Sequence, residues 1–480
     1  MNYQMIGFVI GRILLTEAAL LALPLVTALL YGEPAGPFLI PALVLVLVGL
    51  VLSGRKPQRT ALYARDGLAV VALAWIAMSA FGALPFVISG DIPNFVDAFF
   101  ETVSGFTTTG ASILTDVESL SRGGLFWRSF THWVGGMGVL VFVMAILPMT
   151  DGHGMHLMRA EVPGPSVGKL VSRMSDSAKI LYGIYLAMTV IEIILLLAGG
   201  MPLFDACVHA FGTAGTGGFS NRALSVGTYQ NAYYDIVIGV FMLLFGVNFN
   251  LYYFLLVRRF REVFRSEELR AYLLIVTASV LAITVNIVHI YGSAATSLRH
   301  AFFQVSSIIT TTGYSTVDFN TWPTFSKAIL VVLMFVGACA GSTGGGVKCS
   351  RVLLLLKNVR REIRQIIHPR SVNVVKLDGR VVEEKVLHTV TIFLGAYMLI
   401  IFAACLVVAL DNFSFGTTFT AVVACISNIG PGLELVGPTG NFDCYSFLSK
   451  IVMIFDMLAG RLEIYPLMIF FLPSTWKRHS

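Results

Sequence analysis

Thr107-Thr108-Thr109-Gly110-Ala111-Ser112, Gly215-Thr216-Gly217-Gly218-Phe219-Ser220, Thr310-Thr311-Thr312-Gly313-Tyr314-Ser315 and Ser427-Asn428-Ile429-Gly430-Pro431-Gly432 are four polar stretches of one pattern. Each follows a short amphipathic segment and precedes a long apolar one. Backbone that is neither helix nor sheet persists at membrane depth only where protein buries it or where it lines a wet cavity. One such stretch alone reads as an ordinary Ser/Thr/Gly loop. Four in the same setting predict hairpins whose carbonyl oxygens form a single ring, the device that replaces the water shell of a monovalent cation. Alignment puts Gly110, Gly218, Gly313 and Gly430 at equivalent positions, where glycine permits the left-handed or extended backbone that turns carbonyls to one axis. Thr108, Thr109, Thr216, Gly217, Thr311, Thr312, Asn428 and Ile429 precede them and are expected to supply further carbonyls. Only one glycine per copy is shared by all four, where a TVGYG filter carries two. Fewer fixed carbonyl rings predict fewer ordered ion sites and looser discrimination between alkali cations.

The surrounding composition agrees with a membrane setting. The chain has 480 residues, of which 56% are hydrophobic and only 12% charged, with a mean hydropathy of +0.80. A soluble domain carries about a quarter charged residues. The reading is an all-α polytopic membrane protein. The net charge of +6 does not point to nucleic acid, because the basic residues sit in a few stretches between apolar spans, ten of the 33 between Lys348 and Lys385. The six cysteines form no CxxC pair and read as small buried hydrophobes. The apolar run from Met5 to Tyr31 is too long for a signal-peptide core and reads as a retained membrane helix.

A span needs about 20 apolar residues. Candidates lie at 5–31, 37–54, 67–89, 125–149, 180–200, 232–257, 271–291, 325–357, 386–410 and 447–472. The first two stand apart. The other eight form four pairs, each bracketing one polar stretch, in the order helix, short re-entrant helix, polar strand, helix. The expected organisation is two N-terminal helices in 1–60, then four pore modules at 61–165, 166–265, 266–380 and 381–480. The re-entrant helices open at Pro93, Pro202, Ser297 and Phe415, and the first two carry Asp97 and Asp205 in the first turn, where the helix dipole favours an acid. Basic loops around Arg55 to Arg65, Arg159 to Lys179, Arg258 to Arg270, Lys348 to Lys385 and Lys477-Arg478 alternate with loops poor in basic residues. They predict both termini on the cytoplasmic side and polar strands re-entering from outside.

Two anomalies stand out. The span 325–357 would be about 50 Å long if fully helical, against a bilayer core of about 30 Å. Its middle reads Gly341-Ser342-Thr343-Gly344-Gly345-Gly346-Val347-Lys348, and three consecutive glycines do not hold a helix. The expectation is a loop at depth that constricts the passage below the polar strands; close packing between helices is the plainer alternative. It is not a phosphate loop, because Val347 occupies the lysine position. Arg461 lies inside the last apolar span, where an arginine must face protein or water and marks a functional candidate. It could bond the carbonyls of the 341–346 loop or repel cations; an ion pair with Asp456 or Glu463 is the structural alternative. Glu101, His132, Glu192 and His209 are scattered and make no ligand pair.

Taken together, Trp127-Arg128-Ser129, Trp133-Val134-Gly135-Gly136-Met137-Gly138, the four single-glycine stretches, Ala340 to Lys348 and Arg461 resemble the Trk/Ktr family of microbial potassium-uptake proteins, in its TrkH branch. The resemblance covers nearly the whole chain. It implies potassium as the ion, a multi-pass protein of the bacterial inner membrane, a homodimer with one pore per protomer, a gating loop at 341–346 with Lys348 and Arg461 beside it, and a separate TrkA-like cytosolic subunit that binds nucleotide. No organic cofactor is expected on this chain. Membrane lipids are expected partners, with the basic segment 348–385 facing either them or the regulatory subunit. The second copy departs at Gly217 and the fourth at Asn428-Ile429-Gly430-Pro431, so the ligands there are open. A sodium- or proton-coupled symporter is the rival within transport, although acidic residues are sparse in the spans. An intramembrane enzyme would need a catalytic cluster that the sequence does not offer.

Overall fold

The computed structural model describes residues 2–55, 57, 64–138, 174–371 and 373–473. Lys56, Arg59, Arg159, Lys169, Arg173, Lys477, Arg478 and the second half of the span at 125–149 lie outside the described residues. Among the described residues the chain is helical apart from loops and one two-stranded hairpin, Lys376–Leu377 paired with Arg380–Val381.

Among the described residues six helical segments are long and apolar enough to cross a bilayer: Tyr3–Leu30, Gly36–Ser53, Asp66–Ser89, Ser177–Ala198, Glu267–Tyr291 and Glu384–Asp411. They present a large apolar surface outward, with Leu30, Val285 and Leu406 all at least three-quarters exposed. That surface suits lipid and no aqueous setting. Thus the chain is a multi-pass membrane protein.

Three of the four remaining expected spans do not run straight. The segment 232–257 was expected to be one span, but Ala232–Phe245 and Phe249–Leu256 meet at 92°. Helix Phe447–Arg461 stops at a three-residue break before Tyr465–Phe471, so the span 447–472 is also divided. The segment 325–357 divides into Thr324–Val336 and Cys349–Ile367 around a loop, as its glycines predict. Helix Arg122–Gly136 ends at Gly136. Sequence reading found an interruption in one of these four helices; at least three are broken. Hydropathy averages over a window and does not register a bend made by two or three residues such as Gly246-Val247-Asn248.

Four short helices sit between the long ones: Phe95–Phe106, Leu203–Gly215, Ala294–Ile309 and Phe415–Ile426. Their starts are set by local chemistry. Asn94, Ser293 and Ser414 accept backbone N–H bonds as N-caps. The third was expected to open near Ser297 but begins three residues earlier, because Ser293 caps it. Asp97 and Asp205 do lie in first turns, and each also pairs with a cation: Asp97 with Lys450 at 2.8 Å and Asp205 with Arg222 at 3.3 Å.

Candidate functional site

All four short helices end in the same way. Thr108, Thr216, Thr311 and Asn428 take the left-handed conformation, with φ of 56°, 55°, 59° and 55°. The next N–H groups, on Thr109, Gly217, Thr312 and Ile429, reach back to the carbonyls of Ser104, Gly212, Ser307 and Ala424 at 2.8, 2.8, 2.8 and 2.9 Å. This is the Schellman ending, which usually places glycine at the left-handed position. A β-branched residue there is a real outlier, and such strain gathers at functional sites. One residue further on, Gly110, Gly218, Gly313 and Gly430 again have positive φ, between 79° and 92°.

The glycines meet one another's strands in a closed cycle. A Cβ on Gly110 would lie 2.0 Å from the Gly217 carbonyl oxygen; one on Gly218, 1.9 Å from that of Thr312. A Cβ on Gly313 would lie 2.1 Å from the Ile429 oxygen, and one on Gly430, 2.8 Å from that of Thr109. In every case the oxygen belongs to the residue just before the next copy's glycine. The order first, second, third, fourth and back to first closes the ring. The glycines are thus required twice, by their backbone angle and by the carbonyl pressed against them. Four helix C-termini, each with partial negative charge, point into the same place.

Side chains fix this ring from outside in the same cyclic order. Arg128 pairs with Glu101 at 2.6 Å and donates to the Ser220 carbonyl at 2.9 Å, tying the first strand to the second. Glu101 also accepts from Ser112 Oγ and the Ile113 N–H, both at 2.9 Å. Tyr314 Oη reaches the carbonyls of His209 and Phe219 at 3.1 and 3.2 Å, joining third to second. The Asn320 side chain bonds both the N–H and the carbonyl of Glu434, joining third to fourth. The Phe442 N–H donates to the Ser112 carbonyl at 2.8 Å, joining fourth to first. Outside the spans, the hydroxyls of Ser414 and Thr417 hold the Glu434 carboxyl below the usual range. Asn428 adds an inner tie, its Nδ2 donating to Thr109 Oγ1 and to the Met457 carbonyl, both at 2.9 Å. The Glu101–Arg128 pair is fully buried, so removing one partner strands a charge at a cost of about 3–5 kcal/mol. Glu101→Gln is expected to lower the thermal unfolding midpoint in detergent markedly; an unchanged midpoint would show that the pair holds nothing.

The glycine-rich loop lies directly against two of the strands. A Cβ on Gly344 would stand 2.9 Å from the Thr310 carbonyl oxygen, and one on Gly345, 2.5 Å from that of Ser427. The Gly345 N–H donates to Thr311 Oγ1 at 2.6 Å. Lys348, buried and with φ of 80°, turns its Nζ back onto the Gly344 carbonyl. Arg461 reaches across: Nη1 donates to the Thr343 carbonyl at 2.8 Å, and Nη2 to those of Gly135 and Gly136 at 2.5 and 2.7 Å. Glu463, named as an alternative partner for Arg461, pairs instead with Arg351 at 2.5 Å. Gly341 and Ser342 sit at the loop's start, where the Gly341 carbonyl accepts from the Phe249 N–H at 3.0 Å and Ser342 Oγ bonds the Cys339 carbonyl at 2.6 Å. Gly346, with φ of 74°, turns the chain back past Gly337.

Sequence reasoning missed three contributors. Buried Glu268 accepts the N–H groups of Ala340 and Ser350 at 2.7 and 3.0 Å and so closes the base of the loop. It lies in the first turn of the helix Glu267–Tyr291, far in sequence from the loop it serves. Arg128 was quotable only as part of a motif, yet it lies in an apolar span as Arg461 does, and the same argument would have found it. Arg351 was counted among surface basic residues. His132 and His209 join the ring's supports rather than a ligand set: His132 Nδ1 is 2.7 Å from the Gly105 carbonyl, and His209 Nε2 is 3.1 Å from Ser220 Oγ. Among the described residues no group of His, Cys, Asp and Glu could hold a metal ion.

Comparison with known proteins gives a consistent answer. The TrkH family model, described as a cation transport protein, matches residues 39–478. The Trk system potassium uptake protein TrkH of Salmonella typhimurium is 38% identical over 99% of this chain and all of its own length. TrkG of Escherichia coli, of the same system, is 35% identical over 95% of this chain and 94% of its own. The crystal structure of the potassium transporter TrkH from Vibrio parahaemolyticus superposes with a TM-score of 0.87 at 33% identity, covering 99% of this chain and all of that one. The match is to a family of transporters and not of enzymes. The chain therefore belongs to the TrkH family of cation transport proteins.

Proposed function

We propose that this chain takes up potassium across the bacterial inner membrane, through a pore whose filter is the ring of four strands. The observation that carries the reading is the cycle of four equivalent carbonyl-to-glycine contacts at the ends of four identically capped helices. Such a ring offers a dehydrated cation carbonyl oxygens from Thr108, Thr109, Gly110, Thr216, Gly217, Gly218, Thr311, Thr312, Gly313, Asn428, Ile429 and Gly430, and negative helix ends behind them. The relatives' names, which specify potassium uptake, support the choice of ion. With one glycine per strand, the filter passes potassium and rubidium and rejects sodium incompletely.

The loop Gly341 to Gly346 closes the passage beneath the filter, with Lys348 and Arg461 holding it. Its support is the direct contact of Gly344 and Gly345 with the strand ends and the Arg461 bond to Thr343. The pore modules, the cytoplasmic termini, the homodimer and a TrkA-like nucleotide-binding partner belong to the same reading. The test is rubidium uptake, with sodium competition, in vesicles that hold only this chain. Uptake that potassium suppresses more strongly than sodium supports the proposal; equal suppression by both ions defeats it. One charge moved per rubidium ion marks channel-like passage, and more than one marks coupling.

A further inference from the structure

Between the loop and the break in the last helix lies an ion pair that the pore reading does not use. Arg351 stands in the first turn of the helix Cys349–Ile367, directly after the loop. Its Nη2 lies 2.5 Å from Glu463 Oε2, with side-chain exposures of 7% and 23%. Nη1 donates to the Val347 carbonyl at 3.2 Å, and the guanidinium sits over the Phe393 ring at 4.2 Å. The arginine is therefore held on the loop side, and Glu463 is the member that could be carried away.

Glu463 belongs to a strained turn. Its φ is 55°, and Ile464 follows with φ 68° and ψ −54°. The Tyr465 N–H donates to the Glu463 carbonyl at 2.7 Å. These are the angles and the bond of the rare, strained γ-turn. A β-branched residue does not take positive φ unaided, and such strain persists only where the surroundings hold it. Three things hold it here: the Ile464 N–H donating to the Ala459 carbonyl at 2.8 Å, burial of the Ile464 side chain, and the bond from Glu463 to Arg351. Two residues before Glu463 is Arg461, clamped on Thr343, Gly135 and Gly136.

We infer that Arg351 and Glu463 are positioning residues of the gate, coupling the helix Cys349–Ile367 to Arg461. The inference rests on the gating reading above. Displacement of that helix acts on the closed loop at two points. It draws Lys348 directly through the chain, and through the ion pair it lets the 463–464 turn relax, which swings Arg461 off the Thr343 carbonyl. Only the first two turns of the helix are buried, at Cys349, Ser350, Arg351 and Leu354, so its far end is open to a force applied from outside the membrane core.

A charge-swap cycle tests this in vesicles that hold only this chain. Arg351→Gln and Glu463→Gln are each expected to raise rubidium uptake about tenfold, within the usual range of coupling between two sites. The double variant Arg351→Glu/Glu463→Arg is expected to return uptake to within about twofold of the unaltered chain, because the pair is restored in reverse. Sodium competition should stay unchanged throughout, which shows that the filter is intact and the rise is no leak. Unchanged uptake in the single variants, or a swap that fails to restore it, overturns the inference. Deleting Gly344 to Gly346 in the same vesicles separates the two readings. If the deletion raises uptake while the Arg351 and Glu463 variants do not, the gate stands and the link falls. If the deletion leaves uptake flat, the gate itself falls.

Discussion

Gly313→Ser is expected to reduce discrimination of potassium over sodium by at least about tenfold, the equivalent of about 1.4 kcal/mol. Gly313 sits at φ 84°, where an L side chain is strained by about 1–2 kcal/mol. The larger effect is steric. The new Cβ would fall 2.1 Å from the Ile429 carbonyl oxygen and 2.8 Å from Pro431 Cδ. Neither can retreat easily, since one is backbone and the other a fixed ring. The third and fourth strands must part, and the ring loses its fit to one ion size. Rubidium uptake with sodium competition reads the change; selectivity equal to that of the unaltered chain would remove Gly313 from the filter.

Arg461→Ala is expected to raise uptake without a partner by about 100-fold, the equivalent of about 2.7 kcal/mol. The guanidinium makes three hydrogen bonds to carbonyls, one on the glycine-rich loop and two at the end of the helix Arg122–Gly136, and bonds to a charged group contribute about 1.5–3 kcal/mol each. Its removal frees the Thr343 carbonyl and leaves the Lys348, Thr311 and Glu268 contacts to hold the loop. Arg461→Lys should fall between, because an ammonium cannot fork across three carbonyls as a planar guanidinium does. Flux that falls or stays constant in Arg461→Ala would assign Arg461 to packing instead.

The sequence made the polar strands legible because their chemistry is local. A Thr/Gly stretch between two apolar segments is anomalous by itself, and its fourfold recurrence needs no tertiary information. The broken helix at 337–348 was legible for the same reason, three glycines in a row. What was hidden depends on distant residues. The breaks at 246–248 and 462–464 contain no glycine run, and the second is held by an ion pair 112 residues apart in sequence. Likewise, Glu268 gained its place at the loop only when the fold brought it to Ala340 and Ser350. Asn428 looked like a defect in the fourth copy. Its amide reaches both Thr109 and Met457, two ties that a threonine is too short to make.

The most direct measurement is a crystal structure of this protein soaked in rubidium or thallium, with the ion located by its anomalous scattering. The account places the ion on the axis shared by the carbonyls of Thr109, Gly217, Thr312 and Ile429, within bonding distance of all four strands. An ion bound to side chains elsewhere, with no density inside that ring, would contradict it.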